Sequence, residues 1–365
     1  MERTQTNPWL TRLRQPLYYG GAWHNAGTRV DHLMSVPEAL EEAGLAGWAL
    51  EKRPLYSLRP DLPDANGIIV PGGFEVAPDI FEHMRGKDNK RLGYVGGIYQ
   101  SLHNEELASV FDLLVSSEGL NVAKMQTAGS LLDGRRVWML MSLVDSGFTV
   151  GNQKHPIIPF LLGMNSHDGT GSGKFLLTTV DVVCNNTLNA ALGEAYAELS
   201  VNIRHTGNMQ EKLQELRKMM AQAASVFGDF KVKADALDDV KVARDAYDEF
   251  MNTIFPEVDI TKQGKRAIQN RNERVLAFTE ALKEEVLLLP QYTATGGGEK
   301  SFSYWQLLSA VTRFTTHGDK IRVAKGRDEG EARFEKQLLG AGAEFNAQAT
   351  NKILELSGVG GSKAA

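Results

Sequence analysis

The chain has 365 residues, of which 42% are hydrophobic and 23% charged, too apolar for general disorder and enough for a core that needs no covalent staples. A formal net charge of −5 and a pI near 6.0 exclude a protein that coats nucleic acid by bulk charge, so any such binding has to come from a local patch. The one cysteine, Cys184, excludes an intrachain disulfide and a zinc site of paired cysteines, and it points to a reducing compartment.

Residues 1–15 mix polar and basic side chains without an apolar stretch, so no secretory leader is expected there, and no run approaches the roughly 18 apolar residues of a membrane span. No membrane partner is expected, and the expected location is the cytoplasm of a bacterial host. The fold class expected is α+β: an antiparallel β-sheet with packed helices, followed by a helical C-terminal half. Three regions are read: an α+β domain with two β-hairpins over 1–191, a helical region over 192–290, and a C-terminal helical segment with a frayed tail over 291–365.

Up to about Asn89 the chain reads as loop-rich. It holds one short helix around Val36–Ala43, with Ser35 as N-cap, Pro37 and Glu38 in the first turn and Gly44 at its close. Prolines and glycines between Arg59 and Gly73 mark turns between short extended pieces. Leu92–Tyr99 reads as a strand. A helix follows from Asn104, with Leu107, Val110 and Phe111 on one face and Asn104 as a plausible N-cap. Asn121–Thr127 and Arg135–Val144 flank Asp133-Gly134, a pair that accepts positive φ and so predicts a hairpin. Phe160–Asn165 and Lys174–Val183 flank a glycine-rich loop, Ser166–Gly173, and predict a second. Beyond Asn189 the helical period takes over, in Leu216, Met220 and Phe227, then Phe250 and Ile254, then Phe278, Leu282 and Val286. Gly296–Gly298 marks a break before two last helices around Tyr304–Thr315 and Ala332–Leu356.

Several polar stretches are candidates for chemistry. His24 beside Trp23 is a base or ligand, or a loop organiser. Cys184 ahead of Asn185 and Asn186 is a nucleophile at a helix start, or a small buried apolar residue. Ser166, His167, Asp168 and Gly169 form a candidate ligand loop, because Gly169, Gly171 and Gly173 permit close backbone approach to a phosphate and Lys174 supplies a cation at its base. Arg135 and Arg136 on the first hairpin turn, Lys174, Arg204, and Lys265, Arg266 and Arg271 are the candidate phosphate contacts. No metal site is expected, no cofactor is indicated, and no catalytic residue is assigned.

Ala22-Trp23-His24, Glu51-Lys52-Arg53-Pro54-Leu55-Tyr56, Leu92-Gly93-Tyr94-Val95, His103-Asn104-Glu105-Glu106, Arg136-Val137-Trp138, Asn165-Ser166-His167-Asp168-Gly169, Val183-Cys184-Asn185-Asn186-Thr187, Arg204-His205-Thr206 and, near the C-terminus, Leu307, Ala310-Val311-Thr312 and His317 follow one another in order along most of the chain. In this it resembles the phage/plasmid-like proteins grouped as domain of unknown function 932. His103 and Asn185 stand where that family commonly has glutamine, which puts a direct ligand role for either in doubt. The resemblance implies carriage on a phage or plasmid and a role inside the host cell.

The function expected is nucleic-acid binding in DNA recombination or replication, of the single-strand-annealing kind. A homo-oligomer would hold single-stranded DNA in a basic groove beside a sheet. The alternatives are an enzyme using Cys184, His167 and Asp168 or a metal, and a phage protein that binds a host protein through an exposed apolar patch.

Overall fold

The computed structural model describes residues 17–18, 28–32, 34–116, 124–143, 147–151, 156–181, 200–203, 209–287, 301–319, 323, 332, 336 and 341–359. His24, Cys184, Arg204, His205 and Gly296–Gly298 lie outside them.

After two short strands, β1 (Leu17–Tyr18) and β2 (Thr28–Arg29), helix α1 (Val36–Glu42) opens as its sequence requires. The Ser35 hydroxyl accepts from the Glu38 backbone and the Glu38 carboxylate accepts from the Ser35 backbone, closing a reciprocal capping box. The next stretch is not loop-rich. It forms two long strands, β3 (Leu50–Arg59) and β6 (Gly73–Arg85), which pair antiparallel as a ribbon, with the small pair β4 (Leu62–Pro63) and β5 (Ile69–Val70) at its tip. Strand β7 (Lys90–Gly96) completes a three-stranded sheet in the order β3-β6-β7. Pro54, Pro78 and a high charge content hide the ribbon, because its residues are mostly exposed and no core-facing alternation marks it.

The main sheet grows from the two expected hairpins. After α2 (Asn104–Ser116) come β8 (Lys124–Leu131), β9 (Arg136–Ser142), β10 (Ile157–Ser166), β11 (Gly173–Asp181) and β12 (Ser200–Ile203). Their order is β12-β11-β10-β9-β8-β1-β2, antiparallel throughout except for β1 with β2. Asp133 and Gly134 do take positive φ, 61° and 93°, at the first hairpin.

The helical half follows: α3 (Met209–Asp239), α4 (Arg244–Ile254), α5 (Ile260–Gln263), α6 (Lys265–Leu287), α7 (Tyr304–Arg313) running into a π-turn at Phe314–Gly318, and α8 (Ala341–Ser357). Phe250, Phe255, Phe278 and Phe314 pack ring against ring between these helices. No helix among the described residues is long and apolar enough to cross a membrane.

Both faces of the main sheet are buried, whereas an antiparallel sheet commonly keeps one face to water. Val137, Met139, Met141, Leu161, Phe175 and Leu177 join the helices in one large cluster. The alternate residues Trp138, Leu140, Phe160, Leu162 and Leu176 form a second cluster on the opposite face. Strand alternation therefore sends Asn165 and Ser166, neighbours at the end of β10, to opposite faces.

Candidate functional site

Two polar groups of residues stand back to back at the Ser166 end of the sheet. On the face of the large cluster, the Asn165 and His167 side chains enter a buried network. The Asn104 amide nitrogen donates to the Leu45 carbonyl at 2.9 Å, so its oxygen is the acceptor that meets Nε2–H of His167 at 3.0 Å. Nδ1–H of His83 donates to the His167 carbonyl at 2.6 Å, and the Ser101 hydroxyl then donates to His83 Nε2 at 2.8 Å. Asn165 donates to the Leu102 carbonyl at 2.9 Å, and the Tyr99 hydroxyl donates to the Ser166 carbonyl at 3.1 Å. Trp48 packs beside His167 with ring centroids 5.4 Å apart, and the Arg85 guanidinium lies 4.5 Å from the centroid of that indole.

Burial, helped by the nearby His103 and Lys52, pushes the His83 pKa down despite its bond to the His167 carbonyl. Burial, reinforced by the Asp168 charge, raises the Tyr99 hydroxyl, which stays a donor.

Asn104 is therefore not the N-cap expected of it. The helix start is served by His103, whose carbonyl accepts from Leu107 and whose N–H is taken by the Glu106 carboxylate at 2.7 Å. Asn104 faces inward instead, where it ties the turn after α1, the start of α2 and the loop after β10 together.

The other face carries a pocket of about 320 Å³, at the small end of the range for ligand sites. Its floor is two cross-strand rows. Leu131, Arg136 and Ser166 are register partners on β8, β9 and β10; Trp138, Met164 and Lys174 are partners on β9, β10 and β11. The loop after β10 supplies the opposite wall through Thr170, Gly171 and Ser172. Two cations and three hydroxyls thus share a concavity with an apolar base.

The loop is fastened from both ends. The Asp168 carboxylate accepts from the Arg136 guanidinium, the Ser166 hydroxyl, and the backbone and hydroxyl of Thr170. Burial alone would raise this carboxyl, but those bonds, Arg136 foremost, outweigh it and hold its pKa at about 2. Gly93 of β7 lies against the turn so closely that a Cβ there would stand 2.4 Å from the Asp168 Cα. Gly169 has φ of +78° and faces the Tyr94 carbonyl, where a side chain would fit neither the backbone nor the space.

Of the four residues of the candidate ligand loop, Ser166 lines the pocket. His167 points to the buried network, Asp168 neutralises Arg136, and Gly169 packs on β7. Of the candidate phosphate contacts, Arg136 and Lys174 are in the pocket and Arg135 is exposed on the adjacent turn. Lys265 and Arg266 are exposed at the start of α6, while Arg271 donates to the Phe255 and Pro256 carbonyls. Burial lowers the Lys174 pKa. Sequence reading missed His83, Tyr99 and Ser101. The usable signal was that His103-Asn104 and Asn165–Gly169 are both unusually polar runs next to apolar strands or helices, which is where a shared buried network forms.

Among the described residues, no group of three or more His, Cys, Asp or Glu side chains is placed to hold a metal ion. A family model described as Domain of unknown function (DUF932) matches residues 91–338. No curated protein and no solved structure matches the chain.

Proposed function

The chain belongs to the family Domain of unknown function (DUF932), and from that premise we propose that it binds single-stranded nucleic acid, as a phage- or plasmid-borne protein of DNA recombination or replication. The reading extends to strand annealing by a homo-oligomer in the host cytoplasm. The observation that supports it is the convergence of Arg136 and Lys174 on one pocket with the Ser166, Thr170 and Ser172 hydroxyls above an apolar base of Leu131, Trp138 and Met164. A nucleotide unit has the matching halves: a phosphate for Lys174, the Ser172 hydroxyl and the N–H groups of Arg136 that Asp168 leaves over, and a flat base for the apolar floor. Arg135, exposed on the adjoining turn, is a further cation that a bound strand would reach.

An enzyme built on His167 and Asp168 finds less support. The one is committed to Asn104 within a buried network and the other to Arg136, so neither stands ready as base and orienter.

The test is fluorescence anisotropy of labelled single- and double-stranded DNA over a salt series. Preference for single strands, with affinity falling steeply as salt rises, is expected. Lys174→Gln should weaken binding and reduce the salt slope by about 1. No binding of either DNA at low salt would sink the proposal.

A further inference from the structure

The ribbon of β3 and β6 has two unlike faces. Tyr56 pairs with Val76 and Leu58 pairs with Phe74, so these four side chains share one face, while Ser57, Arg59 and Glu75 share the other. The polar face is internally satisfied, with Arg59 paired to Glu75 at 3.3 Å. The apolar face is bare: Tyr56 is 60% exposed, Leu58 69%, Phe74 77% and Val76 55%. At the tip, Leu62 and Val70 are register partners on one face of the β4–β5 pair, both more than half exposed.

Tyr56, Leu58, Phe74 and Val76 expose roughly 550 Å², at the top of the 300–600 Å² of the largest apolar patch on an ordinary monomer, a size that often marks an interaction site. A two-stranded ribbon is also marginal in water by itself and needs cover on one face.

Charge narrows the occupant. From Pro54 to Ile80 one arginine, Arg59, stands against Asp61, Asp64, Glu75 and Asp79. An arm of that sign repels phosphates, so neither nucleic acid nor an anionic lipid surface suits it.

Shape points to the same chain. The two rings, Tyr56 and Phe74, lie on one diagonal of the four-residue patch, and the smaller Leu58 and Val76 lie on the other. A second copy turned over by a two-fold axis in the plane of the patch, along or across the strands, sets each ring over a smaller residue of its partner. Large over small is the arrangement that interdigitates, and a two-fold contact requires such self-complementarity. We propose that the β3–β6 ribbon is a dimerisation arm, packing face to face on the same ribbon of a second copy through Tyr56, Leu58, Phe74 and Val76. The proposal is independent of what the pocket binds.

Sedimentation equilibrium of the full chain across the micromolar range tests it. A dimer is expected for the unaltered protein. Phe74→Glu and Tyr56→Glu should each raise its dissociation constant by about thirtyfold or more, with circular dichroism unchanged because both positions are exposed. Amide exchange of the unaltered protein should show Tyr56–Leu58 and Phe74–Val76 gaining protection as concentration rises. A protein that stays monomeric, or an oligomer that both variants leave intact, would overturn the proposal.

Discussion

Nε2–H of His167 donates to the side-chain oxygen of Asn104 at 3.0 Å, joining two polar motifs that lie 63 residues apart in the chain. The bond links the start of α2 to the loop that walls the pocket on the far side of the sheet. Asn104→Leu keeps approximate size but leaves the Leu45 carbonyl and the His167 N–H without this partner inside the core. A loss of about 2–4 kcal/mol is expected, read as a lower urea midpoint. Single-stranded DNA affinity should fall with it, because the loop loses its inner anchor.

His83 makes the fold sensitive to acid. Its folded pKa is depressed below the ordinary 6.5, so the unfolded chain binds the extra proton first. The contribution is complete above about pH 6.5 and is lost as pH falls from there toward the folded pKa. Urea midpoints measured from pH 8 down to pH 5 should decline over that window, and His83→Gln should flatten the decline. An unchanged pH profile in the variant would show that another group is responsible.

Asp168 should act with opposite signs on stability and binding. Its carboxyl, held at about 2 against an ordinary 3.8, contributes stability above pH 3.8 that disappears as pH falls toward 2. Asp168→Asn removes the partner of Arg136 and should cost roughly 2 kcal/mol, corresponding to that displacement. It also unmasks the guanidinium at the pocket, so DNA affinity at low salt should rise and the salt slope should steepen. Chemical denaturation and anisotropy on the same preparation separate the two effects.

Lys174 should set an alkaline limit to binding. Burial lowers its pKa, so it loses its charge at a lower pH than a surface lysine does. Affinity for single-stranded DNA is expected to fall as pH is raised through that pKa, and Lys174→Arg should shift the loss upward. Affinity that holds level until ordinary lysines titrate would remove Lys174 from the contact.

Gly93→Ala tests the close approach of β7 to the pocket loop. The added methyl would meet backbone at 2.4 Å, so the loop must move or the sheet must open. A destabilisation of about 1–3 kcal/mol is expected in thermal melts.

What could be read in the sequence was what local chemistry dictates. Ser35 with Glu38, the Asp133-Gly134 turn and the apolar periods of α3, α4 and α6 each carry their signal within a few residues. The β3–β6 ribbon was hidden because strand patterns are recognised by a buried stripe, and its stripe of Tyr56, Leu58, Phe74 and Val76 faces out. In the pocket, Arg136 and Lys174 were legible as cations beside a glycine-rich loop. The inward role of Asn104 was not, since an asparagine ahead of Glu105 and Glu106 satisfies every local rule for a cap. Only the fold brings Leu45 and His167 to it.

A sheet buried on both sides has a further consequence for how it is assembled. In a half-solvated sheet, a one-residue slip of one strand past its neighbour is punished by turning apolar side chains to water. Here Trp138, Leu140 and Leu162 would exchange sides with Val137, Met139 and Leu161, one greasy surface for another, at little hydrophobic penalty. The polar ends of the strands supply the penalty. Slipping β9 would carry Arg136 into the interior away from Asp168, and slipping β10 would pull Asn165 and His167 from their buried partners. The residues that shape the pocket are thus also the ones that keep the strands in step.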